Sequence, residues 1–203
     1  MNNLLDIHHT IIQVNSICYR KKNFNYPTLW FFLDEDRIKD EIALLKNIPA
    51  KICIGVIVRT KNKKNLYKKA KKVAKICKLK GFKFFVSSYP KIALAVAADG
   101  VHFSQDIKKA RIYKSLIYSS SFHKLSDLRR IIDLKTKKVF ISPIFKTASR
   151  KLKKPIGLTR LLFLSRSLKC EIGVLGGINK KNIKRFRKKN ISYIGGVEIF
   201  LQY

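Results

Sequence analysis

The residues best suited to chemistry in this chain follow apolar runs. In VFISPIFKTASRKLKKPIGL, Val139 to Leu158, an apolar run ends at Ser142-Pro143. Phe145, Thr147 and Ser149 come next, and Arg150, Lys151, Lys153 and Lys154 then fall within five positions. Hydroxyl donors and cations at the end of a buried strand suit an anion, because both direct positive charge at it. The same composition also suits an ordinary solvated loop. Arg59 and Lys61 follow the apolar run Ile52–Val58, and they read either as an anion clamp or as a solvated strand end. Gly176 and Gly177 precede Asn179, where a helix could begin. Paired glycines there let backbone N–H groups approach a phosphate at the positive end of a helix, although they also serve a plain turn. Ser121 and His123 follow another run, with His123 open to reading as a capping or surface histidine, and Gln105 and Asp106 follow a fourth. Each feature is weak alone, so the elements that position them decide the reading.

Apolar strand-like runs alternate with longer basic amphipathic segments. Strands are expected at 29–33, 52–58, 82–86, 101–103, 115–119, 138–141, 172–175 and 194–201. Helices are expected at 36–45, 62–79, 91–98, 106–114, 125–134, 157–168 and 182–189. In the second helix Leu66, Ala70, Val73, Ala74 and Cys77 recur at spacings of three and four, and Gly81 stands where a helix cap favours glycine. Pro90 opens the third helix in the usual first-turn place. The strand runs are continuous and β-branched, as in strands covered on both faces. Serial alternation argues for a parallel sheet, and eight units argue for closure into a (βα)₈ barrel rather than an open doubly wound sheet. The barrel is short and no eighth helix is expected. Residues 1–26 form an N-terminal extension and 27–203 the barrel domain. Leu4, Leu5, Ile11, Ile12, Val14 and Ile17 suit a helix packed over the closing strand. In such a barrel the residues just after each strand share one rim, which lifts the separate features to an anion-binding pocket.

Composition narrows the class. The 203 residues carry 45 Lys and Arg against 12 Asp and Glu, a formal net charge of +33. So large a charge fits a polyanion partner. The lysines spread from Lys21 to Lys189 rather than gathering in one tail, which favours compositional bias and argues against nucleic acid. The four cysteines form no C-x-x-C pair and no zinc spacing, and Cys53 and Cys170 are read as buried thiols. The N-terminal stretch has no basic n-region with a long apolar core, and no run has the length to span a bilayer. A cytoplasmic chain is expected, and no feature fixes an oligomeric state.

Four segments in order resemble the thiamine-phosphate synthase and TenI superfamily. They are ALAVAADGVHF (Ala93–Phe103), SFHKLSDLRR (Ser121–Arg130), SPIFKTASRK (Ser142–Lys151, with Gly157-Leu158 after it) and VLGGINKKNI (Val174–Ile183). The resemblance covers about residues 27–200. The sixth-loop segment resembles a divergent branch. The resemblance implies a barrel that binds phosphorylated small molecules, a thiazole phosphate and a pyrimidine diphosphate. In a synthase the pyrimidine diphosphate loses pyrophosphate to Mg²⁺ and the thiazole nitrogen captures the carbocation. Arg59 and Lys61 would then hold the diphosphate with help from Arg150. Thr147, Ser149 and the backbone of Gly176 and Gly177 would hold the thiazole phosphate, and Ser121 would contact substrate. His102 also matches the family but lies within a strand, where it is read as serving the barrel interior.

The departures bear on Mg²⁺. Ser87-Ser88 stand where the family's synthases have Asn-Asp, Ile107 holds the position of a second Asp, and Asp106 is one residue early. The metal carboxylates are thus replaced at Ser88 and Ile107, leaving Asp106 as the displaced candidate ligand. Three readings follow: a thiamine-phosphate synthase whose cations partly replace the metal; a TenI-type thiazole tautomerase that needs no metal, with His123 as acid/base; and a barrel without catalysis that binds phosphate ligands or polyanions.

Overall fold

The structure, a computed structural model, describes residues 2–18, 26–60, 62–147 and 154–201. The eight parallel strands are β1 (Leu29–Phe32), β2 (Ile54–Val58), β3 (Lys83–Ser87), β4 (Gly100–Phe103), β5 (Ile117–Phe122), β6 (Lys138–Ile141), β7 (Glu171–Val174) and β8 (Tyr193–Gly196). They pair in sequence order, and β8 returns to β1 with Leu29 opposite Ile194 and Phe31 opposite Gly196. This is the expected closed (βα)₈ barrel. The helices are α1 (Asn2–Ile17), α2 (Glu41–Asn47), α3 (Lys63–Lys80), α4 (Pro90–Ala95), α5 (Leu128–Asp133) and α6 (Gly157–Arg166).

The barrel interior is filled by aromatic rings set against glycines. A Cβ on Gly55 would lie 2.3 Å from the Trp30 ring, one on Gly100 2.7 Å from Phe85, one on Gly173 2.7 Å from Phe140 and one on Gly195 2.7 Å from Phe32. Each large inward ring therefore occupies the space a side chain would need on the neighbouring strand. This is close packing by alternation of large and small residues. Below these rings, Lys138 donates to Glu171 and Tyr193, both at 2.5 Å, and its ammonium lies 4.0 Å from the Tyr26 ring centroid. Burial depresses the pKa of Lys138, and Glu171 partly offsets this.

The helices seal the outside. The apolar stripe read in α3 is the buried one, with Leu66, Ala70, Val73 and Cys77 in the core. Asn62 caps its start by accepting from Lys64 N–H at 3.0 Å, and Gly81 ends it in the left-handed conformation at φ +73°. α1 buries Ile7, Ile11, Val14 and Ile17. Thr28, just before β1, donates its hydroxyl to Asn15 of α1 at 2.5 Å, and its carbonyl accepts from Ile194 of β8 at 2.8 Å. This sets α1 beside the β8–β1 seam.

Five expectations are corrected. Residues 107–113 form no helix; Lys108, Lys109 and Arg111 crowd like charges there, and the Tyr113 backbone bonds the Tyr118 hydroxyl instead of a helical neighbour. The helix expected at 182–189 is a single 3₁₀ turn, Ile183–Phe186, broken by left-handed Lys188 and Asn190. β8 stops at Gly196, and residues 197–201 turn so that Phe200 stacks on Phe31 at 4.3 Å. β5 runs two to three residues later than expected and so includes Ser120 and Ser121. Among the thiols, Cys18 and Cys77 are the buried ones, whereas Cys53 is exposed and Cys170 half-buried.

Candidate active site

A cavity of about 840 Å³ opens at the carboxyl ends of the strands. Barrel connections put loop residues at this end, so one rim gathers groups from distant parts of the chain. Arg59, Asp106, Ser121, Thr147, Gly176 and Gly177, all singled out from the sequence, line it. Lys61, Ser149 and Arg150 lie outside the described residues.

Arg59 is held from below. Its guanidinium donates to the buried Asp34 carboxylate, and its Nε donates to the Leu33 carbonyl at 3.3 Å. Lys69 of α3 donates to the Arg59 carbonyl at 2.9 Å and pairs with Glu41 and, at 3.5 Å, with Glu35. Burial raises the Glu41 carboxyl, and Lys69 pulls it back. The Arg59 side chain is still 42% exposed, so part of this positioned cation faces solvent. Across the closing seam, Arg37 and Glu198 form an ion pair at 2.8 Å, and both line the cavity.

The sixth and seventh loops build one wall together. Ile144 and Phe145 donate to the Leu175 and Gly176 carbonyls, each at 3.0 Å. Ile156 and Gly157 donate to the Pro143 and Ile144 carbonyls at 2.8 and 3.0 Å, closing the neck of the loop between them. The Ser142–Pro143 bond is cis. Gly177 has φ +66°, and a Cβ there would meet the Lys146 carbonyl oxygen at 2.2 Å. The paired glycines are thus required by the sixth loop lying directly on them, a cause independent of any ligand. Asn179 and Asn182 fix the turn that follows, with Asn182 Nδ2 donating to the Gly177 carbonyl at 2.7 Å.

On the opposite wall, the Ser87, Ser88 and Ser104 hydroxyls form a chain with spacings of 3.2 and 3.0 Å. Arg130 of α5 donates to the Ser120 hydroxyl at 2.7 Å and to the Ser104 and Ser121 carbonyls, tying β4 to β5. His123 is not among the lining residues. Its Nδ1–H donates to the Ser142 carbonyl, and its backbone N–H donates to Asp127 at 2.8 Å, so it stands behind Ser142. His102 lies at the cavity floor, buried, between Ser119 and Ser121. Burial, reinforced by the charges of Arg59, Arg130 and His123, lowers its pKa to about 3.

These donors do not fit a dication held by protein carboxylates. Mg²⁺ takes oxygen ligands and is commonly held by one or two carboxylates with substrate phosphates. Of the two carboxylates that line the cavity, Glu198 is committed to Arg37 and Asp106 is in no ion pair among the described residues; Asp34 is committed to Arg59, and the β3 and β4 ends offer neutral hydroxyls. No group of three or more His, Cys, Asp or Glu residues is placed so that it could hold a metal ion among the described residues.

Sequence reasoning missed Asp34, Arg37, Glu198 and Arg130. Asp34 directly follows the first apolar run, where the rule applied to the later strands would have found it. Glu198 was hidden by extending the last strand through it. Arg37 and Arg130 sit after their strands' ends and reach back, which no local spacing reveals.

A closed parallel barrel with a polar, hydroxyl-lined cavity at its carboxyl rim belongs to the class of (βα)₈ barrels, whose sites lie at that rim. A family model described as thiamine monophosphate synthase (TMP-TENI) matches residues 29–199, and the chain belongs to that family. It is 32% identical over 184 residues to a putative thiamine-phosphate synthase 2 of Aquifex aeolicus, covering 87% of this chain and 98% of that one. It is 30% identical over 138 residues to a thiamine-phosphate synthase of Prochlorococcus marinus, covering 66% of this chain. The matched region is 39% of that relative's length, and 59% of the length of a second Prochlorococcus marinus synthase. In fold the chain is similar to a thiamine phosphate pyrophosphorylase from Pyrococcus furiosus, with TM-score 0.69, 22% identity and coverage of 87% of this chain and 92% of that one. No helix among the described residues is long and apolar enough to cross a membrane.

Proposed function

We propose that this protein acts in thiamine biosynthesis as a thiamine-phosphate synthase, joining a pyrimidine diphosphate to a thiazole phosphate with release of pyrophosphate. The observation that carries the reading is Arg59, aimed along the rim by the buried Asp34 and set across the cavity from the sixth and seventh loops. In the reaction the bond between the pyrimidine methylene and the diphosphate oxygen breaks, and its electron pair leaves with pyrophosphate. The thiazole nitrogen lone pair then forms the new C–N bond. The chain must stabilise charge on the leaving diphosphate and hold two rings in line. Arg59, with Lys61 and Arg150, is assigned to the diphosphate. Thr147, Ser149 and the Gly176-Gly177 backbone are assigned to the thiazole phosphate, and Ser121 to the ring that reaches the floor. No step is routed through Mg²⁺, since Asp106 is the one cavity-lining carboxylate outside an ion pair among the described residues.

That same shortage favours a second reading, a TenI-type thiazole tautomerase, because moving a proton on the ring requires no metal. His123 would then be the acid/base group, reaching the ligand past Ser142. Calorimetric titration with each substrate, with and without Mg²⁺, separates the two. Binding of both substrates supports the synthase. Binding of the thiazole phosphate alone, indifferent to Mg²⁺, replaces it with the tautomerase. The enzyme is proposed to work in the cytoplasm on phosphorylated small molecules.

A further inference from the structure

At the cavity floor His102 bridges two serines of the neighbouring strand. Its Nδ1 lies 2.9 Å from Ser119 Oγ and its Nε2 lies 3.1 Å from Ser121 Oγ. The register pairs His102 with Ser119, and the two-residue period of β5 puts Ser121 on the same side. The imidazole is held edge-on by Phe32 and Phe140, with ring centroids 5.3 and 5.7 Å away. Burial and the nearby positive groups Arg59, Arg130 and His123 keep it neutral, so one nitrogen carries a proton and the other accepts.

Ser119 decides which. It is 1% exposed, and among the described residues His102 is the sole hydrogen-bond partner of its hydroxyl. If Nδ1 carried the proton, the Ser119 O–H would be buried with no acceptor, a state folded proteins avoid. Ser119 must donate to Nδ1. Nε2 then carries the proton and donates to Ser121 Oγ, which leaves the Ser121 O–H to point into the cavity. We infer that Ser119, His102 and Ser121 form a one-way hydrogen-bond chain that makes Ser121 a donor to the ligand, with His102 as the positioning residue and an acceptor atom of a heteroaromatic ring as what the floor selects. The ligand half of this inference rests on the proposed function.

The test has two arms. Long-range ¹H–¹⁵N correlation spectra of the full chain labelled with ¹⁵N-histidine report which nitrogen is protonated, with His102 assigned by the signals lost in His102→Gln. The expected result is an unprotonated Nδ1 and a protonated Nε2; the opposite tautomer, or an imidazolium, overturns the chain. The second arm compares the aminopyrimidine diphosphate with two analogues, each with one ring nitrogen replaced by C–H. One analogue should bind about tenfold or more weakly to the native protein, and Ser121→Ala should close that gap. Equal binding of all three overturns the ligand half and leaves the synthase standing. If the parent diphosphate does not bind, the synthase reading falls, while the spectrum of the native protein still decides the direction of the chain. The spectrum needs no variant beyond the assignment, so a Ser121→Ala protein that fails to fold does not remove the test.

Discussion

Arg59 and His102 are the two side chains whose surroundings make the sharpest predictions at the residue scale. Arg59 owes its direction to Asp34, so Arg59→Ala should weaken diphosphate binding about tenfold to a hundredfold. Asp34→Asn should lose a comparable factor although Asp34 is not among the cavity-lining residues; unchanged affinity in calorimetry would remove the pair from the site. His102 is buried with a pKa of about 3, whereas an unfolded histidine titrates near 6.5. Between those two pH values the unfolded chain binds a proton that the folded chain does not, so unfolding free energy falls as pH falls. The contribution is fully present above about pH 6.5 and is lost progressively toward pH 3, up to about 5 kcal/mol. Urea unfolding at several pH values should show a steep acid limb for the native protein and a shallower one for His102→Gln. Equal limbs would place the acid sensitivity elsewhere.

At the element scale, the sixth and seventh loops behave as one unit. Gly177→Ala puts a Cβ 2.2 Å from the Lys146 carbonyl oxygen at φ +66°, so the sixth loop must move. The variant should lose about 1–3 kcal/mol of stability and most of its phosphate binding. A normal melting temperature with normal affinity would show that the loops are not coupled. The sequence disclosed the elements unevenly. α3 was legible because its apolar stripe and both ends are encoded locally by Leu66, Ala70, Val73, Asn62 and Gly81. The helix expected after Asp106 was not, because its pattern is overridden by charge crowding and by a bond from Tyr118 beyond it. The end of β8 was also hidden: Val197, Ile199 and Phe200 look like strand, but they are buried by a turn.

For the whole molecule, we propose that residues 1–26 are an integral cover of the barrel at 27–203 rather than a detachable arm. α1 buries Ile7, Ile11, Val14 and Ile17 in the same core as β1 and β8. Deleting residues 1–20 should therefore give an aggregating or unfolded protein, and a soluble truncation with a cooperative thermal transition would refute this. The charge of +33 fits a surface of solvated lysines, because Asp34, Glu41, Asp99, Glu171 and Glu198 are each paired with a cation. By itself the sequence determined the serial strand–helix order, the closed barrel and the rim on which Arg59, Ser121, Thr147 and Gly176-Gly177 meet. Periodicity and strand ends are local properties, and the barrel converts strand ends into one site. Only the tertiary structure decided that Asp34 holds Arg59, that the paired glycines lie under the sixth loop, that His123 stands behind Ser142 and that His102 reaches Ser121. Each depends on which side chains face one another across strands or loops far apart in the chain, and that pairing is set by register and closure rather than by any spacing along the chain.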